Sequence, residues 1–431
     1  MKQDLANGVH LTVLPTTQFK TVSVLVTFCS PARLATLTTR SLLADLLETS
    51  SAAYPTQTAL AAVLSNMYGA NFNTNVTKMG TLAQFQFALT LPNGRYLEGQ
   101  PNLLADGFHF LNEVMTNPLV QTTNGVTGFD QATFDRQKEN LALALRAISE
   151  DKMLYARLQA QRLHFGDTMA AYPSAGRLSD VAALTPQSVY AEYQRILAED
   201  EVFIYVLGDV DASDVVTMLD PLDLTDRPSA SRQITRPSEV PEGVTSQVEH
   251  QPLTQAKLDL IYQLPIQYGN HEYFSAQVFN GLFGGTPLSL LFTNVREKQS
   301  LAYYANSGIN FFNQTLLVQA GIDGEKAVLV QQIIGEQLSD LANGHFSEER
   351  LQQVKETLIN QREAAQDAPR LVVGTELLGD LTAIPMTVTD WVTGINAVTI
   401  QDVAEVAKKT VLATSYVLSN AEATRVQQSD I

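Results

Sequence analysis

The chain has 431 residues, enough for two to four structural domains, and 45% of them are hydrophobic, ample for large buried cores. Its formal net charge of −17 removes the basic footprint that nucleic acid binding requires; an acidic surface could draw basic peptides, and otherwise simply gives solubility. No apolar run approaches the roughly 18 residues of a membrane span, the polar N-terminus carries no signal-like apolar core, and the single Cys29 allows no internal disulfide, so a soluble cytoplasmic protein is expected. The glycosylation-like triplets at Asn75 and Asn313 are then chance matches.

In chain order, residues 21–27 are β-branched and read as a strand. Helices are expected over 39–50 and 57–68, and a cleanly alternating strand over 81–89. One long helix is expected over 130–170. Thr185-Pro186 then starts a helix as an N-cap followed by proline, and that helix feeds the apolar strand 202–207. Residues 225–243 contain three prolines, few apolar residues and no period, which reads as a linker. Beyond it, 258–264 alternates as a strand, helices are expected over 271–283 and 325–343, and a last strand covers 415–418.

Two segments recur half a chain apart. Ala183-Leu-Thr-Pro-Gln-Ser-Val189 returns as Ala397-Val-Thr-Ile-Gln-Asp-Val403, and Phe134-Asp-Arg-Gln-Lys138-Glu139-Asn-Leu141 as Leu351-Gln-Gln-Val-Lys355-Glu356-Thr-Leu358. Matches in the same order at nearly one offset predict a duplicated unit. Strands followed by runs of helices predict α+β halves, each a mostly antiparallel sheet with helices on one face. The expected division is 1–226, a linker at 227–243, and 244–431.

The most specific motif is Asn280-Gly-Leu-Phe-Gly284-Gly285, then Ser289-Leu-Leu-Phe-Thr-Asn-Val-Arg296-Glu-Lys-Gln-Ser-Leu-Ala-Tyr303. Leu290, Leu291 and Val295 fall at helical spacing, which puts Arg296 near a helix C-terminus and Tyr303 near the start of a strand over 302–312. A planar guanidinium suits the carbonyls of an extended peptide, and a phenol can donate to a developing oxyanion. The plainer reading is an arginine capping its helix and a tyrosine packed in its sheet. Gly284-Gly285 lacks a phosphate-loop frame, and Cys29 has no recognisable catalytic partner.

This motif resembles the C-terminal signature of the pitrilysin/insulinase family of inverted-zincin peptidases. The resemblance covers essentially the whole chain and implies two homologous halves closing like a clam around a chamber, with Arg296 and Tyr303 binding substrate backbone. It also implies a zinc site on an H-x-x-E-H helix in the first half. The six histidines are His10, His109, His164, His250, His271 and His345, and no two lie within five residues. His271-Glu272 opens an H-E-x-x-H frame, but Ser275 stands at its second histidine position. Counted from the family landmark, the motif falls on Ser41, Ala44 and Asp45, and the third ligand near Ala144 or Leu145. All four polar roles are absent. Asp45 and Glu48 alone make a poor zinc site and read as a solvated helix face. No metal and no cofactor is expected.

The chain is therefore similar to inactive, non-metal subunits of bacterial two-chain peptidases, among them members associated with elongation factor P modification. The resemblance implies a partner carrying H-x-x-E-H and extended peptides as ligands. A non-proteolytic scaffold and a homodimeric peptide-holding protein remain open alternatives.

Overall fold

The computed structural model describes residues 1–219, 224–229, 233–237, 242–298 and 301–420. The first half of the chain runs β1 (Lys2–Ala6), β2 (Val9–Pro15), β3 (Thr21–Pro31), α1 (Leu34–Thr49), α2 (Gln57–Asn66), β4 (Asn71–Met79), β5 (Leu82–Pro92), α3 (Leu103–Thr116), the hairpin β6 (Val120–Thr123) and β7 (Val126–Phe129), α4 (Gln131–Ala147), α5 (Lys152–Phe165), the short α6 (Leu178–Val181), α7 (Pro186–Glu199), β8 (Glu201–Gly208) and α8 (Ala212–Leu219). The second half runs β9 (Thr245–His250), β10 (Ala256–Gln263), α9 (Tyr273–Asn280), two π-helical stretches (Gly281–Gly285 and Leu291–Lys298), β11 (Ala302–Asn310), β12 (Thr315–Ile322), α10 (Ala327–Ala342), α11 (Glu348–Ala364), α12 (Pro369–Thr382), α13 (Val388–Ala397), α14 (Ile400–Lys409) and β13 (Val411–Ser419).

The duplication expected from the two repeated segments is visible strand by strand. One sheet has the order β1-β2-β8-β3-β5-β4; read from its β9 end, the other is β9-β13-β10-β12-β11. The parallel pair β2/β8 recurs as β9/β13, and the antiparallel pairs β3/β8, β3/β5 and β4/β5 recur as β10/β13, β10/β12 and β11/β12. The repeated segments start α7 and α14, where Thr185 and Thr399 each close a capping box with the residue three positions on. The repeated lysines do one job twice. Lys138 Nζ donates to the Leu184 carbonyl (2.8 Å), and Lys355 Nζ donates to the Asn396 carbonyl (3.1 Å). Each ties its helix to the turn ahead of the capped one. The architecture is α+β: sheets with helical layers, as anticipated.

The long helix expected over 130–170 is two helices. Asp151 breaks the run because its side chain accepts from the Met153 and Leu154 amides, capping a new helix N-terminus. At this break the chain changes unit. One compact unit comprises 1–147, 173–234 and 368–382; the other comprises 148–172, 235–367 and 383–431. Each sheet thus receives one helix from the opposite half of the chain. In the second unit α5 lays its small residues Ala156 and Ala160 against Ile261, Tyr416 and Leu418. Its Tyr155 hydroxyl donates to Glu249 (2.8 Å), which also accepts from Tyr416 (2.6 Å). In the first unit α12 is fixed by the hydroxyl of Tyr205, the residue matching Tyr416, which donates to Asp380 (2.6 Å).

The 225–243 segment, where described, is attached. Arg227 is buried in the first unit, with its amide on the Asn7 carbonyl (2.9 Å) and Nη1 on the Leu197 carbonyl (2.9 Å). Ile234 is buried there too and accepts from the Thr81 amide (2.9 Å). In the second unit the Arg236 amide donates to the Phe312 carbonyl (2.8 Å).

Candidate functional site

The face of α1 at Ser41, Ala44 and Asp45 is used for packing and for tying α1 to the edge strand β4. Ala44 is buried, and its carbonyl accepts from Thr74 Oγ1 (2.7 Å). Glu48 Oε2 accepts from the Thr74 amide (2.9 Å) and from its hydroxyl (3.2 Å). Asp45 is half-buried; burial first, and then the neighbouring Glu48, push its carboxyl up to about 6. The solvated face expected at Asp45 and Glu48 is therefore a helix–strand seam, because Thr74 supplies donors for a carboxylate that faces it. Two pleats along β4, on the same face as Thr74, stands Lys78, whose ammonium burial pulls down to about 8. Leu145 on α4 is buried and apolar. Zinc needs three protein ligands with an open fourth position, and this donor set, one carboxylate among serine, alanine and leucine, does not fit it. Among the described residues, no group of three or more His, Cys, Asp or Glu comes together in a way that could hold a metal ion.

The second motif builds a different surface. After α9 the chain widens into the π-helical stretch at Gly281–Gly285. A side chain at Gly284 would meet the Ser307 amide nitrogen at 2.7 Å, so this glycine is required for packing against β11 rather than for cradling a phosphate. Leu290, Leu291 and Val295 are buried as the spacing predicts. That burial turns Arg296 outward, where it is exposed with its guanidinium 4.7 Å above the Phe292 ring. Gln299 and Ser300 of the motif lie outside the described residues.

Tyr303 owes its position to a bulge. The β11–β12 register shifts between Ala302 and Tyr304, and an extra residue at such a point is aimed away from the ladder. Tyr304 lies flat over Gly321, where any side chain would meet its ring at 2.3 Å. Tyr303 is 69% exposed. The plainer reading of a tyrosine packed in its sheet does not describe Tyr303.

Three polar groups escaped the sequence reading. One is Arg40, buried in a charge network beside the degenerate motif. Another is His10, which bridges two strands. The third is Asp259, 1% exposed, on the β10 face opposite the helical core. Its Oδ1 accepts from Gln319 Nε2 (2.8 Å), and burial pushes its carboxyl up to about 7, against the pull of that bond, Arg157 and Lys257. An acid framed by Leu258 and Leu260 was the available signal, since alternation sends it to the other face.

Asp259 gives a signed pH prediction. The folded state holds its proton more tightly than the unfolded chain, whose carboxyl titrates near 3.8, so its contribution worsens as pH rises from about 4 to about 7. Asp259→Asn keeps an acceptor for Gln319 and removes the charge. It is expected to stabilise the second unit by about 1–2 kcal/mol at pH near 8 and by almost nothing at pH near 4. Urea unfolding at both pH values checks this; an equal effect at both would refute the assignment.

Comparisons with known proteins agree with this geometry. A family model described as Peptidase M16 inactive domain matches residues 183–358. A Bacillus subtilis (strain 168) protein described as "Probable inactive metalloprotease YmfF" is 31% identical over 427 residues, 96% of each chain. The crystal structure of a conserved protein from Enterococcus faecalis V583 matches with a TM-score of 0.91 at 38% identity, covering 98% of this chain and 99% of that one. A Pseudomonas fluorescens structure described as a peptidase M16 inactive domain shares the fold, with a TM-score of 0.80 at 15% identity over 99% of both chains. A duplicated α+β fold whose metal helix carries no ligand set defines an inactive metallopeptidase homologue. The chain belongs to the M16 peptidase family, the pitrilysin/insulinase peptidases, as one of its inactive members.

Proposed function

We propose that this chain is the substrate-binding, non-catalytic subunit of a two-chain peptidase whose partner carries H-x-x-E-H. The observation that carries the reading is the exposure of Arg296 and Tyr303 together, each directly following a buried residue, Val295 and Ala302. Buried neighbours hold the two side chains in place at little further entropic cost, as a binding constellation requires. Arg296 would hold carbonyl oxygens of an extended peptide through two parallel N–H donors. Tyr303 would donate its phenol proton to the oxyanion that forms when the partner's metal-bound water attacks. The proposed location is the cytoplasm, in keeping with a lone, buried cysteine. Among the described residues, no helix is long and apolar enough to cross a membrane.

The test is co-expression of the full chain with an M16 member from the same genome that carries H-x-x-E-H. The two are expected to co-purify as a stoichiometric complex, with chelator-sensitive turnover of fluorogenic peptides that neither chain shows alone. Absence of a complex, or a partner equally active by itself, would refute the reading and leave a scaffold or homodimeric peptide-holding role.

A further inference from the structure

His10 lies between two carboxylates from different strands. Nδ1 is 2.6 Å from Asp4 Oδ1 on β1, its direct cross-strand partner, and Nε2 is 3.0 Å from Glu201 Oε1 on β8. The ring stacks on Phe203 with centroids 4.8 Å apart, which fixes its plane between them. Asp4 is open to solvent, and Glu201 is almost wholly buried. The other ionisable groups on the surrounding elements are already engaged. Lys2 on β1 pairs with Asp380 (2.6 Å) and Glu376 (3.4 Å) on α12, and Asp226 accepts from the Asn7 amide (2.9 Å). Cys29 on β3 stands opposite Glu201 with its thiol pushed up by burial, and Arg40 is committed to Asp200 and Glu192.

A neutral imidazole has one N–H and one lone pair; only the imidazolium donates from both nitrogens. Two carboxylates, one at each nitrogen, are satisfied together only by the charged ring. We infer that His10 is a proton-operated clasp on the N-terminal strand, holding β1 to β2 and β8 when charged and loosening β1 when it loses its proton. The Asp4 end must be the one that gives. Losing a donor costs most at the buried Glu201, whereas solvent reaches Asp4 and can replace one. β1 is the outermost strand of its sheet and pairs on one side only, so it can lift without disturbing the ladder beyond β2. Through Lys2 the same strand grips α12, so the loosening reaches the seat of the exchanged helix.

The bond to Glu201, with the smaller help of Asp4, raises the His10 pKa above its ordinary 6.5 despite partial burial. The clasp is therefore fully closed below about pH 6.5 and opens as the pH rises through the folded-state value. Hydrogen exchange of the full chain, followed by mass spectrometry at about pH 6 and about pH 8.5 and corrected for intrinsic rates, reads it directly. Exchange at residues 2–6 and 9–15, relative to β3, is expected to rise about ten-fold at the higher pH, the equivalent of one lost charge-assisted bond. His10→Arg keeps a permanent two-donor cation and should stay closed at both values; His10→Gln should be open at both. Wild-type β1 protection that does not change with pH overturns the inference, and so does opening that persists unchanged in His10→Arg. The Met1 ammonium, which donates to the Val13 carbonyl (2.7 Å), is unchanged in both variants, so if His10→Arg fails to fold, a His10→Gln chain that still opens only at the higher pH overturns the inference as well.

Discussion

Arg40→Met is expected to destabilise the first unit by about 3–5 kcal/mol, enough to shift its folded-to-unfolded ratio by roughly 10²- to 10⁴-fold. Arg40 is 1% exposed and donates Nε to Glu192 Oε1 (2.8 Å), and Nη2 to Asp200 Oδ2 (2.6 Å) and Ser30 Oγ (3.0 Å). These partners come from α7, the turn that joins it to β8, and the end of β3, so one side chain ties these segments to α1. Without it Glu192 keeps Arg195 (2.6 Å), but Asp200, with no exposed surface, keeps only the Ser30 hydroxyl and an Arg195 contact at 3.5 Å. Burial already pushes the Asp200 carboxyl up, with Arg40 the first of the groups pulling it back. Removing Arg40 strands a charge, and the stranded charge, more than the lost bonds, sets the cost. The double variant Arg40→Met, Asp200→Asn should therefore recover much of the loss, which an additive pair of losses would not. Urea unfolding of the three proteins measures this. A single variant within about 1 kcal/mol of wild type would show that the network contributes little.

Arg40 immediately precedes Ser41, the first position of the degenerate metal motif. The helix that would carry zinc ligands is held here by an internal guanidinium–carboxylate network and by the Thr74–Glu48 seam, both independent of any metal. That explains how α1 keeps its place with alanine at position 44 and a half-buried aspartate at 45.

The duplication was legible because its markers are local chemistry. A threonine N-cap with its capping box, and a lysine reaching the turn ahead of it, must be respecified in each copy, so they survive as sequence matches at 185 and 399 and at 138 and 355. The buried face at Leu290, Leu291 and Val295 was legible too, since their helical spacing marks one side of the chain. The helix exchange was not. The break at Asp151 lies inside a polar, helix-compatible run, and only the partners of Tyr155, Ala156 and Ala160 show which sheet receives α5. The bulge that frees Tyr303 was equally hidden, because it depends on pairing with β12 and on room above Gly321. Buried charges such as Arg40 and Asp259 look like surface residues until their partners, 152 residues away for Arg40 and Glu192 and 60 away for Asp259 and Gln319, are placed beside them.

In the two-chain peptidase proposed above, Tyr303→Phe is expected to lower kcat by about 10²- to 10³-fold, the usual effect of removing one donor from a developing oxyanion. The substitution keeps the ring and deletes only the phenol. Because Tyr303 is 69% exposed, melting temperature should not move. Tyr304→Phe is the matched control. Its ring lies over Gly321 with the Lys257 ammonium 5.4 Å away, so it belongs to the sheet, and its loss of a hydroxyl should leave turnover intact. Arg296→Lys keeps the charge but replaces a planar fork with a point donor, so its effect should fall on KM more than on kcat. This division separates the two roles: a residue that only binds the ground state raises KM, whereas one that acts on the transition state lowers kcat. Steady-state kinetics of the co-purified complex, with each variant's melting curve beside it, provides the measurement. A fully active Tyr303→Phe complex would remove the oxyanion role, and equal losses from Tyr303→Phe and Tyr304→Phe would point to the shape of the β11 bulge rather than to a donor.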